Sequence, residues 1–175
     1  MTGKRGEKFR KPLTATMEDY LEVMFDLQEK NGMVRVKDIA EMMKVKMPTV
    51  TSMLKTLHER GLVKYEKYEY IELTEKGVAV GGEMRKRHDT ARRFLSAILR
   101  IEPSTADVEA CGMEHALGRE TLERLGILTD FMKKCPGVTE AWLSHFDKHL
   151  STLTSSKKAG IPRGEKDTLP PKRNG

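Results

Sequence analysis

Two cysteines, Cys111 and Cys135, are too few to build a disulfide framework, and a reducing compartment keeps both as thiols. Long apolar runs are missing too. No stretch approaches the ~18 uninterrupted apolar residues of a membrane span. The N-terminus, MTGKRGEKFRKP, is basic but lacks the apolar segment of a secretory signal. The expectation is a cytoplasmic protein with no membrane partner. The middle of the chain also lacks an excess of positive charge. Residues 1–12 hold five Lys or Arg against one Glu, and 151–175 hold six against two acids, so the net +6 leaves −2 for 13–150. Basic tails strengthen affinity for a polyanion, but they do not identify a folded DNA-reading surface.

What is present is helical periodicity and its punctuation. The arm 1–13 is polar and reads as disordered, as does the Ser-, Lys-, Gly- and Pro-rich tail 151–175. Folded structure is expected over 14–150, without internal repeats. Met17, Tyr20, Leu21, Met24 and Leu27 recur at helical spacing, with Thr14 or Thr16 able to cap the helix and Asn31-Gly32 to end it. A short helix follows around Ile39, Ala40, Met42 and Met43. Pro48 then marks the start of a third, whose apolar stripe is Val50, Met53, Leu54 and Leu57. LVKYEKYEYIELT reads as two short strands around a tight polar turn at 66–68.

Helix, short helix, turn, helix and hairpin is the order of a winged helix-turn-helix, here placed at 14–76. The third helix presents Thr49, Thr51, Ser52, Lys55 and Thr56 opposite its apolar stripe, small or basic residues that suit a major groove. The plainer alternative is an amphipathic helix with a solvated face. The hairpin that follows, and the lack of acids on that face, favour DNA. Lys46 and Lys55 are expected to contact phosphate, and so are Lys64 and Lys67 in the wing, although Glu66, Glu69 and Glu72 make the wing electrostatically mixed.

The second half, 77–150, reads as all-helical: a long helix to about Arg100 with Met84, Ala91, Leu95 and Ile98 on one stripe, then helices near 105–117, 119–134 and 138–150. Pro103 and the Cys135-Pro136-Gly137 run read as breakers. Within EACGMEH at 109–115, Cys111, Glu114 and His115 share one helical face. Alone, this trio is more simply a buried thiol beside surface groups. His88 on the apolar stripe of the long helix is by itself an ordinary core histidine, and Asp19 with Glu22 an ordinary solvated face. Together, three helices would supply carboxylates, imidazoles and a thiolate in the number a two-ion site requires.

The segments MEDYLE at 17–22, MPTVTSMLKTL at 47–57, LVKYEKYEYIELTEKG at 62–77, RKRH at 85–88 and EACGMEH at 109–115, in this order, resemble the diphtheria-toxin repressor family of metal-dependent regulators, most closely its short manganese-responsive branch. The resemblance covers about 14–150. It implies a mainly α fold, with an N-terminal winged helix-turn-helix and a C-terminal helical dimerisation and metal-binding domain. It implies a homodimer that represses transcription on a double-stranded DNA operator, and no enzymatic activity. It also implies metal-ligand roles for Asp19, Glu22, His88, Glu114 and His115, and a DNA-facing start of the third helix at Pro48, Thr49, Thr51 and Ser52. The small β-barrel domain of long members is expected to be absent, since a low-complexity tail stands in its place.

Two departures mark a hybrid. Cys111 stands where the manganese branch has glutamate, as in the iron branch. Yet that branch's accessory site uses His and Glu at positions held here by Asp107 and Arg92, and it has Met in place of Asp19. Carboxylates at 19 and 22 suit Mn2+, while a thiolate at 111 favours Fe2+, Co2+ or Zn2+. The expected cofactor is Mn2+ or Fe2+, two ions per subunit, with Glu109 a substitute should Cys111 turn away. The competing readings are a metal-independent winged-helix regulator that senses a small ligand, a two-metal hydrolase, and an interaction module with a buried Cys111.

Overall fold

A computed structural model of the chain describes residues 12–66 and 71–159. Most of the basic arm, the wing tip with Lys67, and residues 160–175 of the tail lie outside the described residues. Two compact units divide the chain, residues 1–129 and 130–175. No described helix is long and apolar enough to cross a membrane.

The first unit begins with α1 (Ala15–Asn31). The Thr14 side chain accepts from the Met17 N–H at 3.3 Å, and Gly32 ends the helix at φ 70°, a left-handed conformation that glycine adopts without a Cβ penalty. Then come α2 (Val36–Met42) and α3 (Met47–Glu59), followed by β1 (Val63–Lys64) and β2 (Glu72–Leu73). The strands are antiparallel, with Val63 opposite Leu73 and Lys64 opposite Glu72. Val34 adds a single bridge to Ile71, fastening the α1–α2 connection to the wing. One isolated pair has no periodicity, so nothing in the sequence announces it. In α3, Met47 takes the first position and Pro48 the second. Both lie in the first turn, where a missing N–H costs no helical hydrogen bond.

Next come α4 (Glu75–Ala97), α5 (Pro103–Ala116) and α6 (Arg119–Lys134). Thr74 caps α4 by accepting from the Gly77 N–H at 3.2 Å, and its hydroxyl donates to the Gly61 carbonyl at 2.9 Å, tying the wing to the helix. Pro103 acts as a starter. Glu102 accepts from the N–H groups of Ser104 and Thr105, so α5 begins two residues before the expected 105. The same correction applies to α7 (Pro136–Ala159), in the second unit, which opens on Pro136. That helix also runs through 151–159, into the stretch read as tail, because no Gly or Pro intervenes before Gly160. On α7 the Trp142 and Phe146 rings stack with centroids 5.4 Å apart.

Two apolar clusters fill the first unit. One joins Tyr20, Leu21, Met24 and Leu27 of α1 to Ile39, Val50, Leu54, Leu57 and the wing residues Val63, Ile71 and Leu73. The other joins Ala91 and Leu95 of α4 to Ala106, Ala110 and Leu122. Met53 of the expected α3 stripe is only partly buried. α4 packs on both α1 and α5 and so connects the clusters.

Glycine makes the α1–α4 approach possible. A Cβ on Gly81 would lie 2.5 Å from the Leu21 carbonyl oxygen and 2.9 Å from the Phe25 Cβ. Gly81→Ala should therefore destabilise the protein. Overpacking costs about 1–3 kcal/mol, which exceeds the ~0.5–1 kcal/mol an alanine gains inside a helix. Denaturant unfolding of the variant checks this; equal or higher stability would show that the helices are not so close.

Candidate metal centre

α1, α4 and α5 bring the six expected ligands together in two groups. Asp19, Cys111, Glu114 and His115 form one, and Glu22, His88 and Glu114 the other, with donor atoms within 4.8 Å of one another in each. Three-residue spacing puts Asp19 and Glu22 on one side of α1, and Cys111, Glu114 and His115 on one side of α5. Glu114 belongs to both groups. Its Oε2 is 2.9 Å from His88 Nδ1, and its Oε1 is 3.2 Å from His115 Nε2. The two oxygens of one carboxylate thus face different clusters.

Burial makes the arrangement costly. Glu114 is 0% exposed, His88 7% and Glu22 9%. Glu114 Oε1 has no hydrogen-bond partner, since His115 Nε2, though near, pairs with Asp19 Oδ1 at 2.6 Å. A buried, unpaired carboxylate oxygen costs free energy unless something positive meets it. Burial, reinforced by the neighbouring Glu114 charge, pushes the Glu22 carboxyl up to about 7. The hydrogen bond to Glu114 lifts His88 to about 9, against the opposing pull of desolvation. For His115 burial acts downward, but the hydrogen bonds to Asp19 and Glu18 outweigh it and raise the imidazole. Burial and the nearby Asp19 carboxylate push the Cys111 thiol up to about 11. Every one of these groups is held toward its protonated form, as expected where several anionic donors share a small volume.

The donor set is three carboxylates, two imidazoles and a thiol, with one carboxylate oxygen unsatisfied. Such a set fits divalent first-row cations, with carboxylate and imidazole suiting Mn2+ and Fe2+ and the thiol adding a softer donor. Glu109, the substitute ligand expected from sequence, is exposed and in neither group, because two residues along a helix turn a side chain to a different face.

Sequence reasoning missed several neighbours. Glu18 lies 2.8 Å from His115 Nδ1, a contact spanning 97 positions that no local pattern encodes. Arg85 reaches Asp26 at 3.0 Å, Asp89 at 3.1 Å and Glu22 at 3.9 Å, joining α1 to α4 beside the cluster. Arg87 donates to the carbonyls of Glu114 and Leu117, from Nε to Glu114 at 2.9 Å and to Leu117 at 2.7 Å, gripping the last turn of α5 where Glu114 and His115 sit. The RKRH motif thus carries clamps as well as a candidate ligand.

On α3, Pro48, Thr49, Ser52 and Lys55 are exposed, as is Lys46 at its cap. Thr51 is half-buried, and its hydroxyl donates to the Met47 carbonyl at 3.1 Å. Lys64 pairs with Glu72 at 3.3 Å on an exposed surface, which reduces the net charge of the wing.

Residues 12–71 match the family described as iron dependent repressor, N-terminal DNA binding domain, and 74–143 match its metal binding and dimerisation domain. An HTH-type transcriptional regulator of Methanocaldococcus jannaschii is 40% identical over 123 residues, covering 70% of this chain and 96% of that relative. The HTH-type transcriptional regulator MntR of Listeria monocytogenes is 36% identical over 123 residues, covering 70% of this chain and 86% of MntR. The solved structure of the manganese regulator SloR is 30% identical with a TM-score of 0.60, covering 68% of this chain and 55% of SloR. The chain therefore spans about half the length of that solved structure.

Proposed function

The chain belongs to the iron-dependent repressor family, and from that premise we propose that its two-cluster centre is the switch of a metal-dependent, DNA-binding transcriptional repressor. It is a homodimeric regulator and not an enzyme. The proposed ligands are Asp19, Glu22, His88, Cys111, Glu114 and His115, holding two ions of Mn2+ or Fe2+ per subunit. Glu114 carries the reading: its carboxylate is fully buried, faces both clusters and leaves one oxygen unpaired.

Asp19 and Glu22 stand on the first helix of the winged helix-turn-helix; the other four stand on α4 and α5. In the metal-free protein, Glu22 and Glu114 repel across this junction and loosen the hold of α1 on the helical domain. Asp19 and Glu22 of α1, His88 of α4 and Cys111, Glu114 and His115 of α5 would hold the divalent cation, which would supply the positive charge that the carboxylates lack. Arg85 and Arg87 keep the junction in register from its edges. With the junction fixed, the two α3 helices of the dimer are held about 34 Å apart, one duplex turn, where successive major grooves lie. Pro48, Thr49, Thr51, Ser52 and Lys55 then meet base edges and backbone, while Lys46, Lys64 and Lys67 add salt-dependent phosphate contacts. By linkage, DNA tightens metal binding by the same factor as metal tightens DNA binding. Genes for uptake of the sensed metal are the proposed targets, because repression under metal sufficiency closes that loop.

The test is retention of duplex DNA with Mn2+, with Fe2+ under anaerobic conditions, and with chelator, for the parent and for Asp19→Asn. The parent should bind in metal and release in chelator. Asp19→Asn should stay dimeric but respond only at higher metal concentration. A variant that responds like the parent would mean that Asp19 is not a ligand of the switch.

A further inference from the structure

Each imidazole of the centre turns one nitrogen inward and the other toward a carboxylate outside the ligand set. His88 has Nδ1 at 2.9 Å from Glu114 Oε2 and Nε2 at 3.2 Å from Asp107 Oδ1. His115 has Nε2 at 2.6 Å from Asp19 and 3.2 Å from Glu114, and Nδ1 at 2.8 Å from Glu18 Oε2. A neutral imidazole carries one proton, so a nitrogen that offers its lone pair to a cation leaves the proton on the other, which then needs an acceptor. Both outward nitrogens have one.

We propose that, once a cation has displaced the inward-facing protons, Asp107 and Glu18 are positioning residues that hold the two histidines in opposite tautomers, His88 with its proton on Nε2 and His115 with its proton on Nδ1. This rests on the ligand assignment proposed above. Carboxylates in this position fix the ring orientation and raise the basicity of the ligating nitrogen. Asp107 is placed for that task from two sides. It lies four residues before Cys111 on α5, and Arg92 Nε, buried and without a hydrogen-bond partner, stands 4.0 Å from the same Oδ1. Arg92 is anchored in turn by Asp89 at 3.2 Å. The outer carboxylates also cross between helices. Asp107 on α5 holds the histidine of α4, and Glu18 on α1 holds a histidine of α5.

The Asp107 side chain is 64% exposed, so an ion pair made only for stability would contribute little there. Its effect should appear in metal affinity and not in folding. The experiment uses the full chain and measures Mn2+ affinity by competition with a chromophoric chelator, for Asp107→Ala, Asp107→Glu, Glu18→Ala and His88→Ala. Long-range proton–nitrogen correlation spectra of the Cd2+-loaded parent report the tautomers. Asp107→Ala and Glu18→Ala should each weaken Mn2+ binding by about 10–100-fold. Asp107→Glu should recover most of the loss, and Asp107→Ala without metal should melt like the parent. The spectra should show His88 protonated on Nε2 and His115 on Nδ1. Parent-like affinity in both alanine variants, or the reverse tautomers, would overturn the inference. If His88→Ala also bound like the parent, the ligand assignment itself would fall; if it alone lost affinity, only the role of the outer carboxylates would.

Discussion

Replacing Glu114 with Gln should remove the metal response altogether. Asp19 and Cys111 serve one cluster and Glu22 and His88 the other, whereas Glu114 serves both through its two oxygens. Glutamine keeps the volume of a fully buried side chain but supplies one neutral carbonyl oxygen in place of two anionic ones. Residues that merely orient a ligand cost about 10–100-fold in metal affinity when changed, so a shared anionic ligand should cost more than about a hundredfold. The repulsion between Glu22 and Glu114 disappears in the same step, so the fold is kept and the chelator-treated variant should still dimerise. Isothermal titration with Mn2+ would read the loss of both ions, and DNA retention would become insensitive to metal. Retention of one tight ion would show that the clusters do not share this carboxylate.

Metal affinity should also climb steeply with pH. His88 holds its proton up to about 9 and Glu22 up to about 7. A cation that takes both groups displaces two protons below pH 7 and one between 7 and 9. Each displaced proton is worth about tenfold in affinity per pH unit, so these two groups alone should tighten Mn2+ binding about a thousandfold from pH 6 to pH 8. The Cys111 thiol, pushed up to about 11, adds a further proton that a ligating thiolate must lose. Stability of the chelator-treated protein moves the other way. Both folded-state values are raised, so both groups stabilise the metal-free fold at low pH. The Glu22 contribution is present below its ordinary 4.5 and lost as pH rises through 7; the His88 contribution is present below 6.5 and lost as pH rises through 9. The gap in melting temperature between metal-loaded and chelator-treated protein should therefore widen with pH. Proton release in buffers of different ionisation enthalpy gives an independent measure. An affinity that stayed flat from pH 6 to pH 8 would mean that these two groups bind no proton the cation must displace.

The sequence by itself determined most of the helices and the composition of the centre. Periodicity is a local property, so the stripe of Tyr20, Leu21, Met24 and Leu27 and that of Val50, Leu54 and Leu57 could be read before anything was known of their partners. Spacings of three and four likewise put Asp19 with Glu22, and Glu114 and His115 with Cys111, on common faces. Prolines are less legible: Pro48, Pro103 and Pro136 all stand in the first turn of a helix, yet local pattern reads the last two as breakers, because a proline that ends one helix and one that opens the next occupy the same short connection. Only the tertiary structure decided that Glu114 stands between the two clusters, and that Glu18, Asp107, Arg85 and Arg87 complete the surroundings. Those relations join residues tens of positions apart on different helices. They depend on the closeness and angle of the helices, as where Gly81 lets α4 meet α1, and no periodicity along a single helix carries that information.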